Sequence, residues 1–151
     1  MPGKTTVADI MMRGAFTIDV RDTLRQADEI RRREGFRYIP ALDKTKYVGM
    51  ITERTLSEYS LRGMYDYEDN LGEESQNTLL DYENIIERPS VLIYPEDSVQ
   101  KAVKLMVKHN LDYLAVVDWE QNFLGIVTSA EVLMFFNKKL EEESESSPAE
   151  E

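Results

Sequence analysis

The chain has 151 residues, 42% of them apolar, no cysteine, and a net charge of -11 from 18 basic and 29 acidic residues. That length holds one ordinary domain or two small half-domains sharing a core, and the second is the expectation here. Without cysteine there is neither a disulfide framework nor, with one histidine, a zinc constellation, and no apolar run approaches the about 18 residues of a membrane span. Met1 to Thr6 lacks the apolar core of a signal peptide, so a cytoplasmic protein is expected.

Val7 to Met12 reads as a short lead-in helix and Phe16 to Ile18 as a brief extended piece. Asp22 or Thr23 then caps a helix whose buried stripe is Leu24, Ala27 and Ile30 and which Gly35 ends, as a residue that tolerates a left-handed cap. Tyr38 to Leu42 and Tyr47 to Thr52 form a hairpin around Asp43 to Lys46, and a helix carrying Leu56 and Tyr59 follows. Gly63 to Asn77 is polar and acidic, an insert or linker rather than core, and Leu79 to Ile86 re-enters structure as a second lead-in helix. Val91 to Ile93 is again extended, Asp97 or Ser98 again a cap, and Val99, Ala102, Val103 and Met106 recur at helical spacing up to Asn110. Leu114 to Val117 and Phe123 to Val127 pair around Asp118 to Asn122, and Ser129 to Lys139 is the closing helix. From about Glu141 the acidic tail cannot bury enough apolar surface to offset its ordering entropy and is expected to be disordered.

The chain is therefore a tandem repeat. At an offset of 75, Ile10 matches Ile85, Ile18 matches Ile93, Asp22 matches Asp97, Ala27 matches Ala102, Tyr38 matches Tyr113 and Asp43 matches Asp118. Gly49-Met50-Ile51-Thr52 and Gly125-Ile126-Val127-Thr128 close the two copies. Each copy is one supersecondary unit that needs a partner for its apolar face, and two facing copies leave clefts that suit ligands. The charge is concentrated between and after them: Asp66 to Glu87 holds eight acids and no base, Glu141 to Glu151 six acids and no base, leaving 18 basic against 15 acidic residues elsewhere. The repeat bodies can thus accept an anion, while no basic stripe with interleaved aromatics points to nucleic acid.

The ordered set Val7-Ala8-Asp9-Ile10-Met11, Asp22-Thr23-Leu24, Tyr38-Ile39-Pro40-Ala41-Leu42-Asp43 and Gly49-Met50-Ile51-Thr52, repeated from Asn84 to Val132, resembles a CBS domain, the module named after cystathionine beta-synthase. The resemblance implies an α+β fold of two CBS repeats, residues 7–62 and 78–140, each helix, strand, strand, helix with a short leading strand, packed about a pseudo-twofold axis. Residues 63–77 are then the acidic insert and 141–151 the tail. It further implies clefts between the copies that bind AMP, ATP or another adenosyl ligand, so a regulatory sensor of AMP, ADP or ATP with no required metal is expected; with no nucleophile beside a base, no metal cluster and no glycine-rich phosphate loop in the sequence, an enzyme is not. Such modules commonly form homodimers and signal to a partner protein, with no call for nucleic acid or membrane. In the family's ligand motif the Gly is followed by two apolar residues, Thr or Ser, two variable residues and an Asp that takes the ribose hydroxyls. Here that Asp position is Thr55 in the first copy and Glu131 in the second. Thr55 offers one hydroxyl and no charge, whereas Glu131 keeps a carboxylate, so the second copy is the better nucleotide candidate. The family's adenine-facing positions correspond to Thr17, Ile18, Tyr38, Ile39 and Pro40, or to Leu92, Ile93, Tyr113, Leu114 and Ala115.

Plainer readings stand beside these. Thr128 and Glu131 also form the sequence of a capping box, and Thr52 of a plain cap. The helix start after Thr128 favours phosphate under either reading. Arg37 and Arg54 lie where a phosphate could be met, or are simply solvated. Arg31-Arg32-Arg33 reads as an outer helix face or a contact for acidic groups, His109 as a polar-face residue, and Trp119 as a contact surface or a ring folded on its own hairpin. Tyr59, Tyr65, Tyr67 and Tyr82 are packing or partner contacts, and the acidic insert is solvated charge rather than an Mg2+ site. The first rival to the sensor is a ligand-free scaffold that dimerises and displays a surface. The second is an enzyme accessory docking through its acidic tail.

Overall fold

A computed structural model of the chain describes residues 4–61, 77–82 and 84–145. It divides into two compact units, one of Ala15–Ser90 with Gln121–Phe123, the other of Met1–Gly14, Val91–Glu120 and Leu124–Glu151. The units do not follow the repeats along the chain: each repeat body is completed by the lead-in segment of the other copy.

In the first unit, β1 (Ile18–Asp19), β2 (Tyr38–Asp43) and β3 (Lys46–Thr52) form a sheet in the order β1-β2-β3. β1 runs parallel to β2, and β2 pairs antiparallel with β3 from Tyr38 opposite Thr52 to Asp43 opposite Lys46. Pro40 is tolerated inside β2 because it lies opposite Met50. The N–H and C=O of Met50 are both bonded to Glu87, on the far side of β3, so no ladder bond is asked of the proline nitrogen.

Helix α1 (Val7–Ile10) belongs to the second unit; α2 (Leu24–Glu34) and α3 (Glu53–Leu61) cover the first sheet. Thr23 starts α2, its hydroxyl accepting from the Gln26 N–H at 3.2 Å while Gln26 Oε1 accepts from the Thr23 N–H at 2.8 Å. Gly35 ends it with φ 72°. Leu24 and Ala27 are buried as the spacing requires, and so is Asp28, 3% exposed. The Asp28 carboxylate accepts from Arg31 and Arg32, each at 2.7 Å, and Arg33 pairs with Glu34, so the run pairs within its own helix while Arg32 and Arg33 keep the exposed outer face expected of them. Ile18, Leu24, Ile39, Ile51, Leu56 and Tyr59 form the core with Leu79, Ile85 and Ile86 of the second lead-in. Tyr59 packs edge-on against Tyr82, 5.8 Å between centroids, which gives both the packing role; Tyr65 and Tyr67 lie outside the described residues.

The second unit repeats the plan with α4 (Val99–His109), β4 (Tyr113–Val117), β5 (Phe123–Thr128) and α5 (Ser129–Glu145). Ser98 caps α4 by accepting from the Lys101 N–H at 3.0 Å, and Asn110 takes the left-handed end at φ 54°. The expected leading strand Val91 to Ile93 is reduced to a parallel bridge between Ile93 and Val116. Val7, Met11, Ile93, Ala102, Leu114, Val127 and Val132 make this core.

Three further expectations change. The lead-in helix Leu79 to Ile86 is a single 3-10 turn, Leu79–Asp81, and the chain turns left-handed at Asn84, φ 68°. α5 continues to Glu145, so Glu141 to Glu145 are helical rather than disordered. Asn137 donates to Glu141 at 3.3 Å and Lys139 meets Glu142 at 3.7 Å, the i,i+4 and i,i+3 contacts that sustain an exposed helix. Most of the acidic insert and residues 146–151 lie outside the described residues. Finally, the lead-in alignment differs. Thr6 with Asp9 and Thr78 with Asp81 form the same capped turn, and Val7 N–H donates to Asp97 O at 2.8 Å as Leu79 N–H donates to Asp22 O at 2.9 Å. The turns thus correspond at an offset of 72, not 75, and the second lead-in has three more residues before the offset of 75 resumes.

It resumes at Met12 and Glu87, and the two glycines they approach lie 76 apart because the second hairpin turn has one more residue. Met50 and Glu87 exchange both backbone bonds, 2.9 and 2.8 Å, and so do Met12 and Ile126, 2.8 and 3.1 Å. A Cβ on Gly49 would lie 2.6 Å from Ile86 Cγ2 and closer still to the Glu87 carbonyl oxygen; on Gly125 it would lie 2.8 Å from the Met12 carbonyl oxygen and 3.0 Å from Met11 Sδ. The repeated glycine is therefore the space through which a lead-in backbone reaches a strand edge.

Two predictions result. Gly49→Ala lowers the unfolding free energy in urea by about 1–3 kcal/mol, and Gly125→Ala by less because the backbone oxygen it meets, Met12 O at 2.8 Å, lies farther off than Glu87 O does from Gly49 and the Met11 side chain can move aside; unchanged midpoints would contradict the close approach. Thr23→Ala and Ser98→Ala each cost about 1 kcal/mol in the same assay, since each removes the partner of a first-turn N–H.

Candidate functional site

Each repeat ends its second hairpin strand in a threonine that begins a helix, and the residue three further on turns back to it. In the second unit Glu131 Oε1 accepts from the Thr128 N–H at 2.6 Å and from the Thr128 hydroxyl at 2.7 Å, while Thr128 Oγ1 accepts from the Ala130 N–H at 3.2 Å. Both residues are half-buried. The carboxylate is thus seated on the cap, as the plainer reading has it, and Oε2 has no partner among the described residues. In the first unit Thr52 Oγ1 accepts from the Thr55 N–H at 3.2 Å and lies 3.0 Å from Thr55 Oγ1. The same position there holds a neutral hydroxyl already engaged by its neighbour.

Glu131 opens onto a groove of about 440 Å3 in the second unit, lined by Thr5, Asp9 and Ile10 around α1 and by Glu131, Met134, Phe135, Lys138, Lys139 and Glu142 on one face of α5. Its charges are unequal in freedom. Asp9 is held below the usual carboxylate range by the Thr6 N–H and then by the Thr6 hydroxyl. Lys139 is shared between Glu142 and the Phe135 ring, 5.6 Å from its centroid. Lys138 has no partner among the described residues, and it shares the groove with Glu131 Oε2, the carboxylates of Asp9 and Glu142, and the apolar side chains of Ile10, Met134 and Phe135. Such a groove can hold a ligand that presents a ring, hydroxyls and an anion.

Of the residues expected to line an adenine site, the groove contains Glu131 alone. Ile93, Leu114 and Ala115 are buried, as are Ile18, Ile39 and Pro40 in the first unit; four of these, Ile18, Ile39, Ile93 and Leu114, sit inside the core clusters. Leu92, Tyr113 and Tyr38 are half-buried, Thr17, Arg37 and Arg54 exposed. Lys138, Phe135 and Met134 were not singled out from the sequence, although Glu131, Phe135, Lys138 and Glu142 recur at the three- and four-residue spacing of one helix face. Among the described residues no group of three or more His, Cys, Asp or Glu is placed to hold a metal ion, and no helix is long and apolar enough to cross a membrane.

Comparison with known proteins places these features. An uncharacterized protein of Methanocaldococcus jannaschii is 24% identical over 136 residues, 90% of this chain and 41% of that protein. A homoserine O-acetyltransferase of Methanosarcina acetivorans is 23% identical over 133 residues, 87% of this chain and 22% of that protein. The chain thus spans less than half of the curated relatives it matches. In structure it resembles CBSX2, a CBS-pair protein of Arabidopsis thaliana solved in complex with AMP, with a TM-score of 0.71, 16% identity and coverage of 89% of this chain and 97% of that one. It also resembles the CBS domain pair of protein MJ0100 in complex with 5'-methylthioadenosine and S-adenosyl-L-methionine, with a TM-score of 0.70, 23% identity and coverage of 90% and 98%. The CBS domain model matches residues 7–62 and again 83–138, and the chain belongs to the CBS domain family as a tandem pair.

Proposed function

We propose that this CBS pair is a regulatory module that binds an adenine nucleotide at its second repeat and passes the bound state to a partner protein, without catalysis of its own. The observation that carries the reading is the asymmetry of the two helix starts: Glu131 keeps a carboxylate with a free oxygen beside the groove, while Thr55 is neutral and bonded to Thr52. A carboxylate can accept both hydroxyls of a ribose, and the start of α5 adds backbone N–H groups and the positive end of a helix dipole for phosphate. Lys138 supplies a further cation. The AMP and S-adenosyl ligands of the two solved pairs support the adenosyl class of ligand; the phosphate-directed groups favour AMP, ADP or ATP within it. In the enzymes of which the chain spans about a fifth, a module of this kind would act as a regulatory part, and the same role is proposed here for the cytoplasm.

A second reading has its own observation. Leu133, Met134, Phe136 and Leu140 on α5 are 67%, 64%, 45% and 63% exposed, and Leu133, Phe136 and Leu140 fall on one stripe at spacing three and four. Homodimerisation through α5 would cover them, whether or not a nucleotide binds.

Calorimetric titration with AMP, ADP, ATP, 5'-methylthioadenosine and S-adenosylmethionine is expected to give one adenine nucleotide per chain; flat traces for all five would overturn the reading. Glu131→Ala is expected to cost about 1 kcal/mol of stability through the lost cap and, separately, to abolish the ligand-induced rise in melting temperature. A variant that loses stability yet keeps the full ligand shift would leave Glu131 a cap only. Thr55→Asp should raise the stoichiometry toward two.

A further inference from the structure

One surface group of the second unit plays no part in the ligand reading. Trp119, in the turn between β4 and β5, stacks on Tyr94 with ring centroids 4.0 Å apart and planes 13° from parallel, and its indole N–H donates to Glu96 Oε2 at 3.0 Å. It is nevertheless 72% exposed. The repeat supplies an internal control for what this contact is worth structurally. At an offset of 75, Tyr94, Glu96 and Trp119 correspond to Asp19, Arg21 and Lys44. There Arg21 bonds Asp19 at 2.7 Å and also Asp43, and the Lys44 N–H reaches Asp19. The first repeat therefore ties its leading strand to its hairpin turn with ion pairs and exposes no apolar surface in doing so. The second makes the same tie with a large ring, fixed in one orientation and left in solvent.

The surroundings decide what such a ring suits. Residues 94–97 and 118–120 carry four carboxylates, Glu96, Asp97, Asp118 and Glu120, against one base beside them, Lys101, which is paired with Asp97 at 3.3 Å. Nucleic acid and anionic lipid would be repelled. A guanidinium is planar, so it can lie on an indole face while its N–H fork reaches a carboxylate at the ring edge; an ammonium cannot do both as well. The stack and the hydrogen bond hold the ring before anything arrives, which lowers the ordering cost of binding. We propose that Trp119, backed by Tyr94 and edged by Glu96, is a docking point for an arginine side chain on a segment of a partner protein.

Trp119 is the only tryptophan in the chain, so its emission reports on this point alone. The full chain is titrated at low salt with acetyl-Gly-Arg-Gly-Arg-Gly-amide and with its lysine counterpart. A saturable change in emission is expected with the arginine peptide, with the lysine peptide weaker by about two- to fivefold. Binding should fall in 0.5 M salt, and Glu96→Gln, which keeps the shape and removes the charge, should weaken it by a similar factor. Quenching that rises linearly and matches free N-acetyltryptophanamide would overturn the proposal, as would equal affinity for both peptides or an unchanged affinity in Glu96→Gln. Nucleotide titration of Glu96→Gln is expected to match the parent chain, which separates this surface from the groove at Glu131.

Discussion

The structure depends on two places where one backbone touches another with no side chain between. Gly49 and Gly125 let Glu87 and Met12 pair with the outer edges of β3 and β5. Each pairing satisfies an N–H and a C=O that a strand edge would otherwise present to water or to another chain. It also brings Ile86 and Met11 into the respective cores. Because the segment that completes each repeat body comes from the other copy's lead-in, neither repeat closes its own core. A duplicated unit that must borrow an edge is a unit that persists as a pair.

The next residues along the same strands are the ones in which the proposed site is read, and the constraint fixes their place. Two residues after each bridge the chain leaves the sheet at Thr52 or Thr128 and enters a helix, so the first free N–H groups of that helix are held at a fixed place by the edge pairing. In the first repeat the Glu53 N–H is met by the Arg37 carbonyl at 2.8 Å and the Thr55 N–H by the Thr52 hydroxyl at 3.2 Å. In the second, Glu131 answers the cap with one oxygen and keeps the other. A cap of this kind contributes about 1 kcal/mol, small enough for a ligand that replaces its hydrogen bonds to displace or share it. Under the proposed function, capping and ligand binding are successive uses of one carboxylate rather than competing accounts of it.

Much of this was legible in the sequence because it is local. The helix caps at Thr23 and Ser98, the left-handed ends at Gly35 and Asn110, the hairpins and the doubled glycine motif all follow from short-range chemistry, and the likeness to CBS domains rests on their order. What was not legible is long-range. The reason for Gly49 lies at Glu87, and the capped turns at Thr6 and Thr78 correspond at an offset that only their shared bonds to Asp97 and Asp22 reveal. Apolar strand residues such as Ile39 and Ile93 alternate alike whether they line a ligand or a core, and each belongs to the buried cluster of its unit. The arginine run gave no hint of Asp28 as its partner until three- and four-residue spacing placed them on one face. The acidic end of α5 was judged by composition, whereas its i,i+4 contacts decide its shape.

The claim that the second helix start, and not the first, is the ligand-responsive point is tested most directly by following backbone amide resonances of the full chain during titration with AMP. Saturable shifts at Thr128, Ser129 and Ala130, with Thr52, Glu53 and Thr55 unmoved, are the predicted result. Shifts confined to Thr52 through Thr55, or none at either helix start at saturating AMP, would contradict it.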